Sequence, residues 1–210
     1  MSHVTINHDP EPIRLFKSSF LEFFTHISPI TVLVIWIPIV IFFLYRTITQ
    51  AQHWLITPLA FISGLFLWTL AEYVLHRFLF HYRPRTPRQE RIFFLFHGVH
   101  HAQPKIKTRL VMPPVLSIPM ASLFLGLFYL VFSVILPMNA WVGATFSGFI
   151  AGYVIYDMMH YATHHFAMHN GIWKWLKRHH MQHHYKDPNL QFGVSSPLWD
   201  YVFATMPKEK

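Results

Sequence analysis

The chain has no cysteine. That excludes thiolate ligands, iron–sulfur clusters and disulfides, so any metal site must be built from imidazole and carboxylate. Charge is scarce too. Asp, Glu, Lys and Arg make up 12% of the 210 residues, against about 25% in a soluble domain. Acids are the rarer sign, nine against seventeen Lys and Arg. The net charge of +8 suits an anionic lipid surface or an acidic protein partner, and nucleic acid is not an expected partner. No G-x-G-x-x-G motif is present for a nucleotide cofactor. No apolar signal core precedes residue 27, because residues 1–19 hold His3, His8, Asp9, Glu11, Arg14 and Lys17; the first apolar segment is expected to be retained. Repeats, low-complexity tracts and linkers are missing, and strand patterns are weak. One all-α unit over residues 1–210 is expected.

What is abundant is apolar. Hydrophobic residues reach 53% and the mean hydropathy is +0.31. They concentrate at about 27–45, 54–75, 112–137 and 140–159, each near the ~20 residues that cross a hydrocarbon core. The first stretch contains Pro38. The third opens with Pro113-Pro114 and has Pro119, so its start is expected to be kinked or interfacial. Only a few residues around Met138-Asn139 join the third stretch to the fourth, which requires a tight antiparallel hairpin. Lys and Arg are unevenly shared. Arg46 alone lies between the first two stretches and none lies between the last two. All others precede the first, separate the second from the third, or follow the fourth. The positive-inside rule then puts both termini in the cytosol, with segments 76–111 and 160–210 as a helical cap on a four-helix membrane stem. The membrane would be the endoplasmic reticulum in a eukaryote and the inner membrane in a bacterium.

Seventeen histidines are far more than packing requires. Ten fall into four clusters: His76 and His81; His97, His100 and His101; His160 and His164; His180, His183 and His184. All four lie at the cytosolic ends of spans two and four. Residues i, i+3 and i+4 share a helix face, so three clusters can each present two or three imidazoles to one side. His76 and His81 are five apart, about 140° around an ideal helix, so the helix is expected to end or bend between them before Pro84. Ten imidazoles divide naturally into two metals with about five ligands each. Imidazole suits iron, zinc, copper and nickel.

Other residues carry weaker signals. Glu72 stands four before His76 and Asp157 three before His160, each an acid at the end of an apolar span, where an unpartnered charge is expensive. Metal-bound histidines commonly donate their second N–H to a carboxylate, so both acids are expected to orient ligands; pairing with an arginine such as Arg77 is the plainer alternative. Asp200 is a weaker candidate of the same kind. His3, His8, His26 and His53 look like surface residues, whereas His165, His169 and His179 stand beside ligands and could support them or face substrate. Phe93, Phe94, Phe96, Trp173, Trp175 and Phe192 could line an acyl groove, or simply pack.

At these residues the chain closely resembles the fatty acid hydroxylase / sterol desaturase superfamily, and within it the fatty acid 2-hydroxylase branch. The resemblance rests on the run from Glu72 to His81, on His97 to His101, on Arg109-Leu110-Val111-Met112-Pro113-Pro114, on Tyr156-Asp157 through His165, on His180 to Lys186, and on Phe192-Gly193-Val194 with Trp199-Asp200. It implies a membrane oxygenase with a histidine-bound dimetal centre that uses O2 and two electrons to hydroxylate the carbon beside an acyl carbonyl, in a fatty acyl or N-acyl sphingolipid. It also implies that the ten clustered histidines are the ligands. Iron is the expected metal, and zinc can occupy such a site in isolated protein. Many eukaryotic members carry a cytochrome-b5-type domain, which the residues before position 27 cannot hold. A separate cytochrome-b5-like or ferredoxin-like donor is therefore expected. Rival readings are a sterol methyl oxidase, a lipid desaturase or a carotenoid hydroxylase, and, from another class, a metal carrier without catalysis. Transport would favour ligands within the spans rather than at their ends.

Overall fold

The computed structural model describes residues 5–50 and 54–208. The expected surface positions His3 and His53 lie outside the described residues. Those described form helices without strands. A short α1 (Ser19–Phe23) precedes four long helices: α2 (Pro29–Gln50), α3 (Ile56–Val74), α6 (Pro114–Tyr129) and α7 (Asn139–His165). Between α3 and α6 lie α4 (Pro87–Phe93) and α5 (Val99–Ala102); α8 (Gly171–Tyr185) and α9 (Leu198–Val202) follow α7. The four long helices, with their extensions, are each long and apolar enough to cross a membrane. Ile30, Val34 and Leu123 remain exposed on them, as lipid-facing side chains do in a bilayer.

Helix α7 is the central one. In it 67% of the apolar window is buried, against 11–28% in the other three. Small residues let the neighbours close on it. A Cβ at Gly148 would lie 2.8 Å from the Phe61 carbonyl carbon, and one at Gly152 would lie 2.6 Å from Trp68 Cβ. Around that contact Trp36, Trp68, Phe149 and Tyr153 pack edge to face.

Helix ends follow local chemistry. Thr86 caps α4 through its hydroxyl, with Pro87 at the first helical position, where a missing N–H costs nothing. Pro114 opens α6 in the same way, and Pro119 sits inside it. At the C-terminal end of α7, Lys177 Nζ donates to the carbonyls of Thr163 and Phe166 at 2.6 and 2.9 Å, a cation at the negative end of the helix dipole. The expected boundaries shift, and α2 runs on to Gln50, past the expected end near 45, so that Arg46 lies inside it. Helix α7 runs on to His165, so His160 and His164 sit inside it rather than beyond it. The cap also has a third component. Residues 7–27 pack on it through Asn7 N–H to Ala102 O at 2.7 Å, Ile13 N–H to the Gln103 side chain at 2.8 Å and Ile27 N–H to Thr108 O at 2.7 Å.

Candidate metal centre

The helix ends between His76 and His81, at Phe80, and it widens before it does. Residues Leu75–Phe80 form a π turn, whose bonds run from i to i+5, and His81 N–H donates to His76 O at 3.0 Å. The five-residue spacing thus becomes one turn, with ring centroids 4.9 Å apart. A second π turn, Phe94–Gly98, carries His97 into α5, which supplies His100 and His101.

The ten clustered histidines come together as two sets of five. One set is His76, His81, His97, His101 and His183; the other is His100, His160, His164, His180 and His184. Sequence clusters and spatial sets do not coincide. His97 and His101 join one set while His100 turns to the other, and His183 parts from His180 and His184 in the same way. The stacked rings of His101 and His184, 4.1 Å apart, join the sets.

Within each set the Nε2 atoms form a chain of close contacts. In the first, His76–His97, His97–His101, His101–His81 and His81–His183 are 3.2, 3.1, 3.1 and 3.0 Å apart. In the second, His160–His100, His100–His184, His184–His180 and His180–His164 are 3.0, 3.0, 3.1 and 2.9 Å apart. Hydrogen bonds cannot account for the first chain. His76 Nδ1 faces Phe192 O at 2.5 Å and His183 Nδ1 faces Leu190 O at 2.7 Å. A carbonyl only accepts, so each Nδ1 carries the proton and each neutral ring offers a lone pair at Nε2. Four contacts then share at most three protons. A cation resolves the excess of lone pairs. Metal–nitrogen bonds of ~2.1 Å place adjacent nitrogens ~3.0 Å apart in octahedral geometry and ~3.4 Å apart in tetrahedral geometry. The observed spacing fits the former, so the donor set fits a metal that accepts five or more nitrogens.

Burial keeps these rings neutral. It depresses His81, His97, His100, His180, His183 and His184 well below the ordinary imidazole value, and neighbouring imidazoles add to the effect. For the same reasons His101 falls to about 3. Neutral imidazole is the metal-binding form.

The two span-end carboxylates have other partners than the histidines expected. Glu72 accepts from the N–H groups of Val194 and Ser195 at 2.6 and 2.8 Å and from the Ser195 hydroxyl. Asp157 accepts from Met112 N–H at 3.1 Å and Tyr153 OH at 3.0 Å. Each fixes a loop beside the histidines. Arg77 bonds Tyr73 OH at 2.7 Å rather than either acid. Asp200 does meet a histidine, His179, at 3.2 Å, and also takes the N–H groups of Phe192 and Gly193, both at 2.8 Å, and the Thr205 hydroxyl. Burial opposes its charge, but His179, Thr205 and these amides together hold it below the ordinary carboxylate value.

Sequence reasoning missed the backbone role of segment 190–192, where the carbonyls of Leu190 and Phe192 orient His183 and His76. Gln191 has φ +62°, uncommon for a non-glycine residue, and its side chain is held by Gln182 at 2.9 Å and His179 at 3.0 Å. It also missed Glu22 and its ion pair with Arg109. Burial raises the Glu22 carboxyl, but the amides of Phe16 and Leu15 and the Arg109 charge leave it below its usual value. His26, expected at the surface, meets Thr108 at 2.8 Å and Arg109 at 3.0 Å.

An apolar cavity of about 300 Å³ opens onto His97, His100 and His160. Its walls include Leu15, Phe16 and Phe24 from the N-terminal segment and Val111, Leu116 and Met120 around the start of α6. Of the aromatic groove candidates only Phe96 lines it. Phe192 packs on His76, His81 and His183, Trp175 stacks on His179, and Phe93 meets His81.

Apolar spanning helices capped by ten converging imidazoles define a membrane protein with a histidine-built metal centre. The chain belongs to the fatty acid hydroxylase family, whose model matches residues 61–205. It is 40% identical to human fatty acid 2-hydroxylase over 97% of its own length and 59% of that protein. It is 37% identical to a dihydroceramide fatty acyl 2-hydroxylase of Arabidopsis thaliana, covering 94% of this chain and 81% of that one. The solved structure of full-length scs7p, with only its hydroxylase domain visible, superposes with a TM-score of 0.82 at 38% identity over 90% of this chain and 70% of that one. The chain thus spans about three-fifths of the human relative it matches.

Proposed function

We propose that the chain is an O2-dependent hydroxylase acting on the carbon beside the carbonyl of a lipid acyl chain, with an N-acyl or other acyl lipid as substrate. The observation that carries this reading is the apolar cavity ending on histidines of both five-imidazole sets. The relatives' names, fatty acid 2-hydroxylase and dihydroceramide fatty acyl 2-hydroxylase, support the choice of carbon and substrate. The ten histidines are the proposed ligands of two metal ions. Iron is favoured because five nitrogen donors exceed the usual four of zinc, and because zinc is redox-inert. When bound, iron supplies O2 activation. The chain's own residues hold the ligands, exclude water with apolar walls and present one end of the acyl chain to the centre. Overall, one C–H and the O–O bond break, a C–O bond forms, and the second oxygen leaves as water with two electrons and two protons. The electrons come from a separate acidic carrier, and the cap and both termini face the cytosol. Lipidomics of cells expressing the chain should show 2-hydroxylated acyl lipids that disappear with His183→Ala. Unchanged lipids in both, or hydroxyl groups at another carbon, would overturn the assignment.

A further inference from the structure

The outer face of α8 connects to the first histidine set by a short series of contacts. Trp175, 37% exposed, stacks on His179, with centroids 5.1 Å apart and planes at 20°. Buried His179 meets Asp200 at 3.2 Å; Asp200 accepts the Phe192 N–H at 2.8 Å; Phe192 O accepts from His76 Nδ1 at 2.5 Å. A branch runs from His179 through the Gln191 side chain at 3.0 Å into the chain next to Leu190, whose carbonyl holds His183 at 2.7 Å. In the second set, His160, His180 and His184 have buried Nδ1 atoms without a partner among the described residues. The cavity, in contrast, includes two histidines of that second set and one of the first.

Lys174 and Arg178 are four apart on α8, and Arg178 is three from Trp175, so the three neighbour one another on the helix surface; all three are exposed. Among the described residues neither Lys174 nor Arg178 has a carboxylate within ion-pair distance, whereas Lys177 is occupied by the end of α7. A basic patch around an exposed aromatic ring fits an acidic protein that delivers one electron at a time. Tunnelling favours covalent bonds and hydrogen bonds over gaps, and this series contains only one ring-to-ring step.

We propose that Lys174, Trp175 and Arg178 form the docking surface for an acidic one-electron carrier, and that electrons enter through Trp175 and His179 to the His76 and His183 side of the centre. This rests on the oxygenase reading above. Two carrier molecules are each oxidised by one electron per turnover. The division places electron entry at one histidine set and the substrate cavity chiefly at the other, so that donor and lipid bind without competing.

The test uses the soluble domain of a cytochrome b5 as carrier, in neutral detergent. With the zinc-loaded, redox-inert protein, Lys174→Glu/Arg178→Glu should weaken carrier binding about tenfold, and added salt should weaken parental binding. With the iron-loaded protein at saturating carrier, Trp175→Leu should slow haem reoxidation about tenfold. Trp175→Phe, which keeps a ring over His179, should restore most of it, while reduction by dithionite stays at the parental rate. Unchanged carrier binding in the charge-reversed protein, with loss of binding to anionic vesicles instead, would make the patch a lipid-headgroup surface and overturn the docking. Parental electron transfer in Trp175→Leu would overturn the route. Failure of the oxygenase reading looks different: the parent would accept electrons yet form no hydroxylated lipid.

Discussion

At the residue scale, the neutrality of the histidines has a direct consequence for stability. His81, His97, His100, His101, His180, His183 and His184 are depressed by burial and by one another. In the unfolded chain each takes a proton near pH 6.5. In the folded, metal-free chain each does so only at much lower pH. Below pH 6.5 the unfolded state therefore binds more protons, and folding stability falls with pH by ~1.4 kcal/mol per pH unit for each extra proton. The melting temperature of metal-free protein should drop steeply between pH 7.5 and 5.5; a flat profile would mean that these rings are solvated. Glu72 gives a second prediction. Its carboxylate holds Val194 and Ser195, just beyond the carbonyls that orient His76 and His183. Glu72→Gln keeps one acceptor and loses the charge, and should weaken metal retention against a chelator about tenfold, the lower end of the range for groups that support ligands. Parental retention would leave Glu72 with a folding role alone. The acid was legible as a buried group near a candidate ligand, because it sits one turn from His76. Its partner was not, since Val194 and Ser195 are remote in sequence and donate through backbone amides that any residue carries.

At the element scale, the same contrast between local and remote information recurs. The four long helices were legible from apolar length, and α7 exceeds its expected end only because His160 and His164 extend the helix past its apolar run. The π turn was not legible as such. The five-residue spacing of His76 and His81 signalled an irregularity, and a wider last turn, ending at Phe80, brings the two rings together. The division of the ten histidines into two sets also depends on how α5 and α8 cross, which spacing alone does not encode. The pair Gly148 and Gly152 was a readable signal left unread, because small residues four apart let helices approach closely. Gly148→Ala would set a methyl group against the Phe61 backbone. Backbone cannot step aside as a side chain can, so overpacking should cost at least 1–3 kcal/mol. Melting in detergent should show a clear loss for Gly148→Ala and little change for Gly126→Ala, where a Cβ meets nothing within 4 Å. Equal melting of the two variants would show that α3 and α7 are less closely packed at this point.

At the scale of the whole molecule, orientation in the membrane follows from charge. Arg46, in the last turns of α2, is the one Lys or Arg near one end of the four-helix stem, and the other described Lys and Arg gather at the opposite end. Loops retain positive charge on the cytosolic side during insertion, so the cap and both termini should be cytosolic, with the turn around Asn139 on the far side. The cap residues Arg88 and Lys174 are exposed, as is the short link that ends at Met138. The absence of cysteine makes this directly measurable, because one introduced thiol is the only one present. In sealed, right-side-out membranes, Asn139→Cys should react with a membrane-impermeant maleimide, while Arg88→Cys and Lys174→Cys should react only after permeabilisation. Asn139 is the first residue of α7 and the other two belong to the cap, and none lines the cavity or joins the histidine sets, so labelling should not disturb the centre. The reverse pattern would place the cap outside. A cytosolic electron carrier could not then reach Trp175, and the donor would have to be sought on the other side of the membrane. The labelling therefore decides more than topology: the expected pattern puts the two histidine sets and the basic face of α8 on the same side as a cytosolic reductant.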